Sequence, residues 1–207
     1  MTRIIFVRHG RTAHNVAMVI TSAAPGAPLD DTGRDQALKL AGELAGEHVD
    51  AIYTSPLTRA AQTADILAAE LGTGPVRVHP DLRECSVGDL EGASGPEAFA
   101  RFDGAIESWH LRSDLACALG SGGESGTEAV ERVRRVVAEI ESRHEGTVVV
   151  VSHSTVLQIA LPNLCENLPA SYGHRRWIAN AGYVDTRPTE TGRTCVTWSG
   201  TTPGTGE

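Results

Sequence analysis

The chain has 207 residues, 41% of them hydrophobic, with 18 Lys and Arg against 26 Asp and Glu for a formal charge of −8. That length and apolar content suit one domain with a sizeable core, and the acidic balance excludes nucleic-acid binding through the global field. No apolar run reaches transmembrane length, and the first strand starts so close to Met1 that no signal peptide is expected.

The first predicted element is the β-branched run Ile4-Ile5-Phe6-Val7, a buried strand that breaks into Arg8-His9-Gly10. Arg8 and His9 therefore stand at the carboxyl end of a strand, where open α/β sheets bind ligands. A planar cation can hold an anion there while an imidazole attacks or protonates it. Residues 32–48 read as a helix with Ala37, Leu38, Ala41, Leu44 and Ala45 on one face. The strand Ala51-Ile52-Tyr53-Thr54 runs into Ser55 as N-cap and Pro56 as first residue of a helix over 56–71, stopped by Gly72. Arg59 then lies near the positive dipole end of that helix, which favours anions. A short strand is predicted over 76–79, and Glu84 sits in a glycine-bounded loop between Leu82 and Gly92.

Residues 93–122 break this rhythm, with irregular helical character up to Trp109 and a close at Gly120-Ser121-Gly122-Gly123. Insertions over strand ends carry substrate-contacting groups. The longest helix starts at Ser125, paired with Glu128 in a capping box, and keeps Ala129, Val130, Val133, Val136, Val137 and Ile140 in a helical period up to Gly146. A second apolar strand, Val148-Val149-Val150-Val151, ends in Ser152-His153-Ser154 and leads into a helix over 154–164. Late strands over 181–185 and 194–198 flank a turn at 188–192, and 200–207 reads as a flexible tail. Strands alternating with helices predict an α/β fold in one domain over 1–199: a three-layer sandwich with a mostly parallel central sheet. The four cysteines (Cys85, Cys117, Cys165, Cys195) form no Cys-x-x-Cys pair and read as reduced thiols of a cytoplasmic protein.

Two histidines, two arginines and a glutamate, each just past a strand or in a nearby loop, can converge on one phosphate. They fall within Arg8-His9-Gly10-x-Thr12-x-x-Asn15, Thr54-Ser55-Pro56-Leu57-x-Arg59-Ala60-x-x-Thr63-Ala64, Leu82-x-Glu84-x-x-x-Gly88-x-x-Glu91-Gly92 and Ser152-His153. Leu29-x-x-x-Gly33-x-x-Gln36-Ala37 and Gly123-Glu124-Ser125 complete the series. On these motifs, over residues 3–186, the chain resembles the histidine phosphatase superfamily in its phosphoglycerate mutase-like branch, among broad-specificity or metabolite phosphatases. Arg11 stands where that family often has an acidic or amide residue, and Ser154 where glycine is usual.

A histidine that attacks phosphorus must be neutral, with one ring nitrogen free and the other donating to a fixed acceptor. His9 takes that role. Arg8 and Arg59 are the clamps on the phosphate, His153, charged, donates to another oxygen, and Asn15 adds an amide donor. Glu84 protonates the leaving alkoxide and then deprotonates the water that cleaves the phosphohistidine. The resemblance implies that Thr12 joins the binding shell and that the segment after the glutamate forms a lid; Ser154 is a further candidate contact. Glu91 is expected to order the loop beneath Glu84. His14, His48, His79 and His144 match no motif and read as structural. His110 with Arg112, and His174-Arg175-Arg176, read equally as second-anion sites or solvated faces. No His-x-x-x-His or clustered-carboxylate pattern predicts a metal, and no cofactor is expected.

Three activities compete: a metal-independent phosphatase acting on a small metabolite, a mutase, and a non-catalytic phosphate sensor. A sensor would have lost a core residue, and none is lost. The mutases' Gly-Trp-x-Asp stretch is replaced by Thr21-Ser22-Ala23-Ala24-Pro25-Gly26-Ala27-Pro28. The phosphatase is favoured, with a small phosphate ester as partner, neither nucleic acid nor membrane, and a homodimer left open.

Overall fold

A computed structural model describes residues 1–203. Its strands are β1 (Arg3–Arg8), β2 (Val49–Thr54), β3 (Arg77–Val78), β4 (Thr147–Ser152), β5 (Tyr183–Pro188) and β6 (Arg193–Trp198). They form one six-stranded sheet in the order β3-β2-β4-β1-β5-β6. β1, β2, β3 and β4 run parallel, whereas β5 pairs antiparallel with β1 and β6 with β5. The fold is thus α/β with a mostly parallel sheet. The helices are α1 (Ala13–Val16), α2 (Asp31–Leu44), α3 (Thr58–Leu71), α4 (Pro96–Leu111), α5 (Gly126–Arg143) and α6 (Ser154–Ala160).

The period of two along a strand divides the core. Ile4 and Phe6 of β1 and Val148 and Val150 of β4 join the cluster that holds α4, α5 and α6. Ile5, Val7, Val149 and Val151 face the cluster built from α2 and α3. Apolar burial on both faces makes these strands continuous hydrophobic runs rather than alternating ones. β1 and β4 lie side by side in register, Arg8 opposite Ser152. This adjacency brings the two strand ends that carry His9 and His153 together. Gly10 and Gly33 are needed where the end of β1 crosses the start of α2, since a Cβ on either would collide with the other segment's backbone.

Several elements depart from the sequence reading. The buried face of α2 is Gly33, Ala37, Leu40, Ala41 and Leu44, while Leu38 and Ala45 are exposed. Leu40 continues the i, i+3, i+4 row from Ala37, and Leu38 lies about 100° off it. Ser55 and Pro56 precede α3, which starts at Thr58 with Leu57 as N-cap. The Ser55 hydroxyl instead accepts the Leu57 amide in a local turn. Pro162 tightens the end of α6, which gives way to a 3₁₀ turn over Leu161–Asn163. The segment expected to have irregular helical character holds α4, which is regular throughout. Of the expected tail, Thr201 pairs back on Trp198, and residues 204–207 lie outside the described ones. The cysteines are free thiols, and among the described residues no helix is long and apolar enough to cross a membrane.

Candidate active site

A cavity of about 510 Å³ opens at the carboxyl ends of β1, β2 and β4, and Arg8, His9, Arg59 and Glu84 line it. His9 is buried, with its Nδ1 2.7 Å from the Gly10 carbonyl. A carbonyl can only accept, so Nδ1 carries the proton and Nε2 keeps its lone pair. Arg59 Nε–H donates to that lone pair at 3.0 Å. Burial, then the charge of Arg59, holds the His9 imidazole well below its ordinary value, with the Gly10 carbonyl opposing and Arg8 adding to it. The ring is a neutral imidazole with a cation beside its Nε2 lone pair.

Arg8 donates through Nη1 to the Ile178 carbonyl at 2.7 Å, which fixes its plane, while its buried Nε has no partner. Arg59 is held by the Thr21 carbonyl at 3.3 Å as well as by His9. Burial lowers both guanidinium values, and the charge of Glu84 opposes that shift in each. Both remain cations in a desolvated site, where an anion gains most from them.

His153 is fully buried, its ring centroid 5.1 Å from that of His9. Its Nε2 lies 2.7 Å from the Ser55 hydroxyl, and its Nδ1 is buried without a partner. Burial, reinforced by the charge of Arg59, pushes this ring too well below the ordinary histidine value. The expectation of a charged His153 is therefore corrected: in the free protein it is neutral. Thr12 lines the cavity too, and its hydroxyl takes part in the α1 capping box with Asn15, which orients that residue. Asn15 Oδ1 accepts from Thr12 and from Asn180 Nδ2, which leaves the Asn15 Nδ2 amide as its free end in the cavity wall. Ser154 also lines the cavity, its hydroxyl donating to Gln158 at 3.2 Å.

Glu84 docks on the start of α6, directly after His153. Oε1 accepts the Cys85 and Val156 amides, each at 2.9 Å, and Oε2 accepts the Thr155 amide at 3.1 Å. One Oε2 lone pair stays free for a proton. The loop beneath is clamped by a buried ion pair: Glu124 takes Arg132 through both oxygens, at 2.7 and 2.9 Å, and Arg132 Nη1 donates to the Asp81 and Arg83 carbonyls. Removing one partner of such a pair costs about 3–5 kcal/mol. The Glu91 carboxylate accepts from the Ser22 and Ala23 amides, tying down the segment after α1.

Sequence reasoning missed Asn180, which donates to the His9 carbonyl at 3.1 Å, and His14, which lines the cavity with its Nδ1 unpartnered. His14 sits one residue before Asn15 on α1, so its place in the same motif was the available signal. The His110 and His174 rings lie tilted with centroids 6.3 Å apart, outside the cavity lining, and Arg176 covers Tyr172. Neither cluster, nor Arg112, supplies a second anion site in the cavity wall. Among the described residues, no three His, Cys, Asp or Glu side chains come together as a metal site.

The two neutral histidines make stability pH-dependent. A ring held neutral by the fold binds its proton only in the unfolded chain. Stability is complete above the ordinary histidine value and falls as pH drops below it, by about 1.4 kcal/mol per pH unit for each ring. Urea midpoints should therefore fall between pH 7.5 and pH 5, and His153→Gln should flatten that slope. Equal midpoints at both pH values would mean that both rings accept a proton in the folded state.

The sequence profile of the histidine phosphatase superfamily (branch 1) matches residues 4–201. Phosphoglycerate mutase-like protein 4 of Arabidopsis thaliana is 35% identical over 158 residues, covering 75% of this chain and 67% of the relative. A metal-independent phosphoserine phosphatase from the same plant is 33% identical over 167 residues, covering 76% of this chain and 66% of the relative. The chain thus spans about two thirds of the length of these two relatives. Mycobacterial glucosyl-3-phosphoglycerate phosphatase, solved with a bound vanadium oxyanion, superposes with a TM-score of 0.82 at 28% identity, covering 95% of this chain and 98% of that one.

Proposed function

The chain belongs to branch 1 of the histidine phosphatase superfamily, and on that premise we propose that it hydrolyses phosphomonoesters of small metabolites through a phosphohistidine on His9. One observation carries this reading. Of the five buried side-chain polar atoms without a partner among the described residues, three belong to Arg8 and His14, which line the cavity with His9, and to His153, whose ring stands beside that of His9. Unpaired buried donors are costly, and an anion held against His9 would satisfy those of Arg8 and His153.

In this mechanism Arg8 and Arg59 grip the phosphoryl oxygens, and Arg59 Nε exchanges its bond to His9 for one to the substrate. The Ser55 hydroxyl donates to His153 Nε2, so the His153 proton sits on Nδ1 and is offered to a third oxygen. The free Asn15 amide supplies another donor. His9 Nε2 attacks phosphorus, the bond to the ester oxygen breaks, and Glu84 gives that oxygen its proton. Water then attacks the phosphohistidine, Glu84 takes its proton, and the P–N bond breaks to release inorganic phosphate. All the charge stabilisation comes from side chains of residues 1–199, read as one catalytic unit in a cytoplasmic enzyme. Hydrolysis is favoured over mutase transfer because the cavity wall adds no second clamp for a phosphorylated acceptor.

Purified protein should release inorganic phosphate from small phosphate esters at the same rate before and after dialysis against EDTA. Activity lost on dialysis and restored by Mg²⁺ or Mn²⁺ would refute the side-chain-only mechanism. Isomerised ester appearing faster than free phosphate would make the protein a mutase.

A further inference from the structure

We propose that this site selects phosphate esters whose leaving group is apolar or aromatic and carries no second anion. The inference rests on the phosphatase reading above and concerns the part of the cavity beyond the phosphate. There the wall is apolar: Met18 and Ile20 follow α1, Phe99 and Phe102 come from α4, and Trp177 precedes β5. Phe99 and Phe102 sit three residues apart on one helix face, their rings edge to face at 6.5 Å. Trp177 and Met18 remain 51% and 60% exposed. Large apolar side chains left open to water at the mouth of a cavity mark a surface that gains by being covered.

Charge narrows the class further. Among the described residues, Arg8 and Arg59 are the only Arg or Lys side chains lining the cavity, and both are committed to the phosphate. Besides His9, the one histidine among the described residues of the wall is His14. Apart from Glu84, which serves the leaving oxygen in the proposed mechanism, the remaining formal charge there is Asp103, one position beyond Phe102 on the same helix. A leaving group bearing a carboxylate or second phosphate would meet Asp103 and an aromatic wall, with no cation to receive it, inside a chain of net charge −8. A neutral aromatic group would instead cover Phe99, Phe102 and Trp177, and a cationic one would also pair with Asp103 and the ring faces. The candidates that could have reversed this, His110, Arg112 and Arg175, do not line the cavity.

Three primary alkyl phosphates with similar leaving oxygens separate the terms: 2-phenylethyl phosphate, phosphocholine and 3-carboxypropyl phosphate. At pH 8, kcat/KM for the phenylethyl ester should exceed that for the carboxypropyl ester by about tenfold or more, with phosphocholine between them. Trp177→Ala, at an exposed position, should lower the phenylethyl value several-fold and spare the carboxypropyl ester. Asp103→Lys should raise the carboxypropyl value about tenfold and depress phosphocholine. Equal kcat/KM for all three esters, or preference for the carboxylate, would overturn the proposal while leaving the phosphatase reading intact. If none is hydrolysed, the phosphatase reading falls. The order of affinities by calorimetry with the same three esters then decides the binding preference, and a carboxypropyl ester bound as tightly as the phenylethyl one would end it.

Discussion

His9→Ala should turn over phosphate esters at least about 10⁴-fold more slowly than the parent chain, the scale on which removal of a nucleophile abolishes covalent catalysis. His153, the nearest alternative, has Nε2 bound to Ser55 and is buried behind His9. Protein quenched in alkali during turnover of labelled substrate should carry acid-labile, base-stable phosphate, absent from the His9→Ala chain. The substitution also removes a buried neutral ring, so folding should be verified by circular dichroism before the rate is read. A His9→Ala chain that folds and retains more than a few per cent of the activity would eliminate the covalent mechanism.

The second large effect concerns the proton. Glu84→Gln should slow alkyl phosphates by about 10²-fold or more, within the usual range for a general acid. The amide preserves much of the side chain's shape, and its carbonyl can still accept amide bonds from α6, but it cannot deliver a proton from the position of Oε2. p-Nitrophenyl phosphate, whose leaving group needs no proton, should lose far less in the pre-steady-state burst, where phosphorylation of His9 is read separately from its hydrolysis. The steady-state rate should still fall for both esters, because in the proposed mechanism Glu84 also activates water. Equal slowing of both esters in the burst would remove Glu84 from the acid role and turn attention to other groups in the wall, such as Asp103.

Much of the reactive centre was legible in the chain because it is written locally. Ile4 to Val7 and Val148 to Val151 are buried on both faces of a parallel sheet, so each reads as an uninterrupted apolar run, and the residue that ends the run is a ligand position by topology. Arg8, His9 and His153 follow from that rule alone. The capping box of Ser125 and Glu128 is equally local, being a spacing of three residues around a helix start.

What resisted reading is set by contacts between distant segments. Ser55 looked like a helix cap, yet its hydroxyl serves His153, 98 positions away. Glu84 is placed by the amides of Thr155 and Val156, more than 70 positions on. Asn180 entered the site without a sequence signal because β5 turns back antiparallel beside β1, and the segment before it lies against His9. The charge state of His153 belongs to this class too. A motif supplies the imidazole, but only the fold decides how much water it loses and which cations stand next to it, and those two quantities set its protonation. The sequence by itself thus determined which chemical groups stand at the strand ends, because strand periodicity and turn chemistry are properties of neighbouring residues. Their protonation states, their anchoring and the character of the wall facing the leaving group were decided only by tertiary structure, since desolvation and hydrogen-bond partnership depend on segments that chain proximity does not bring together.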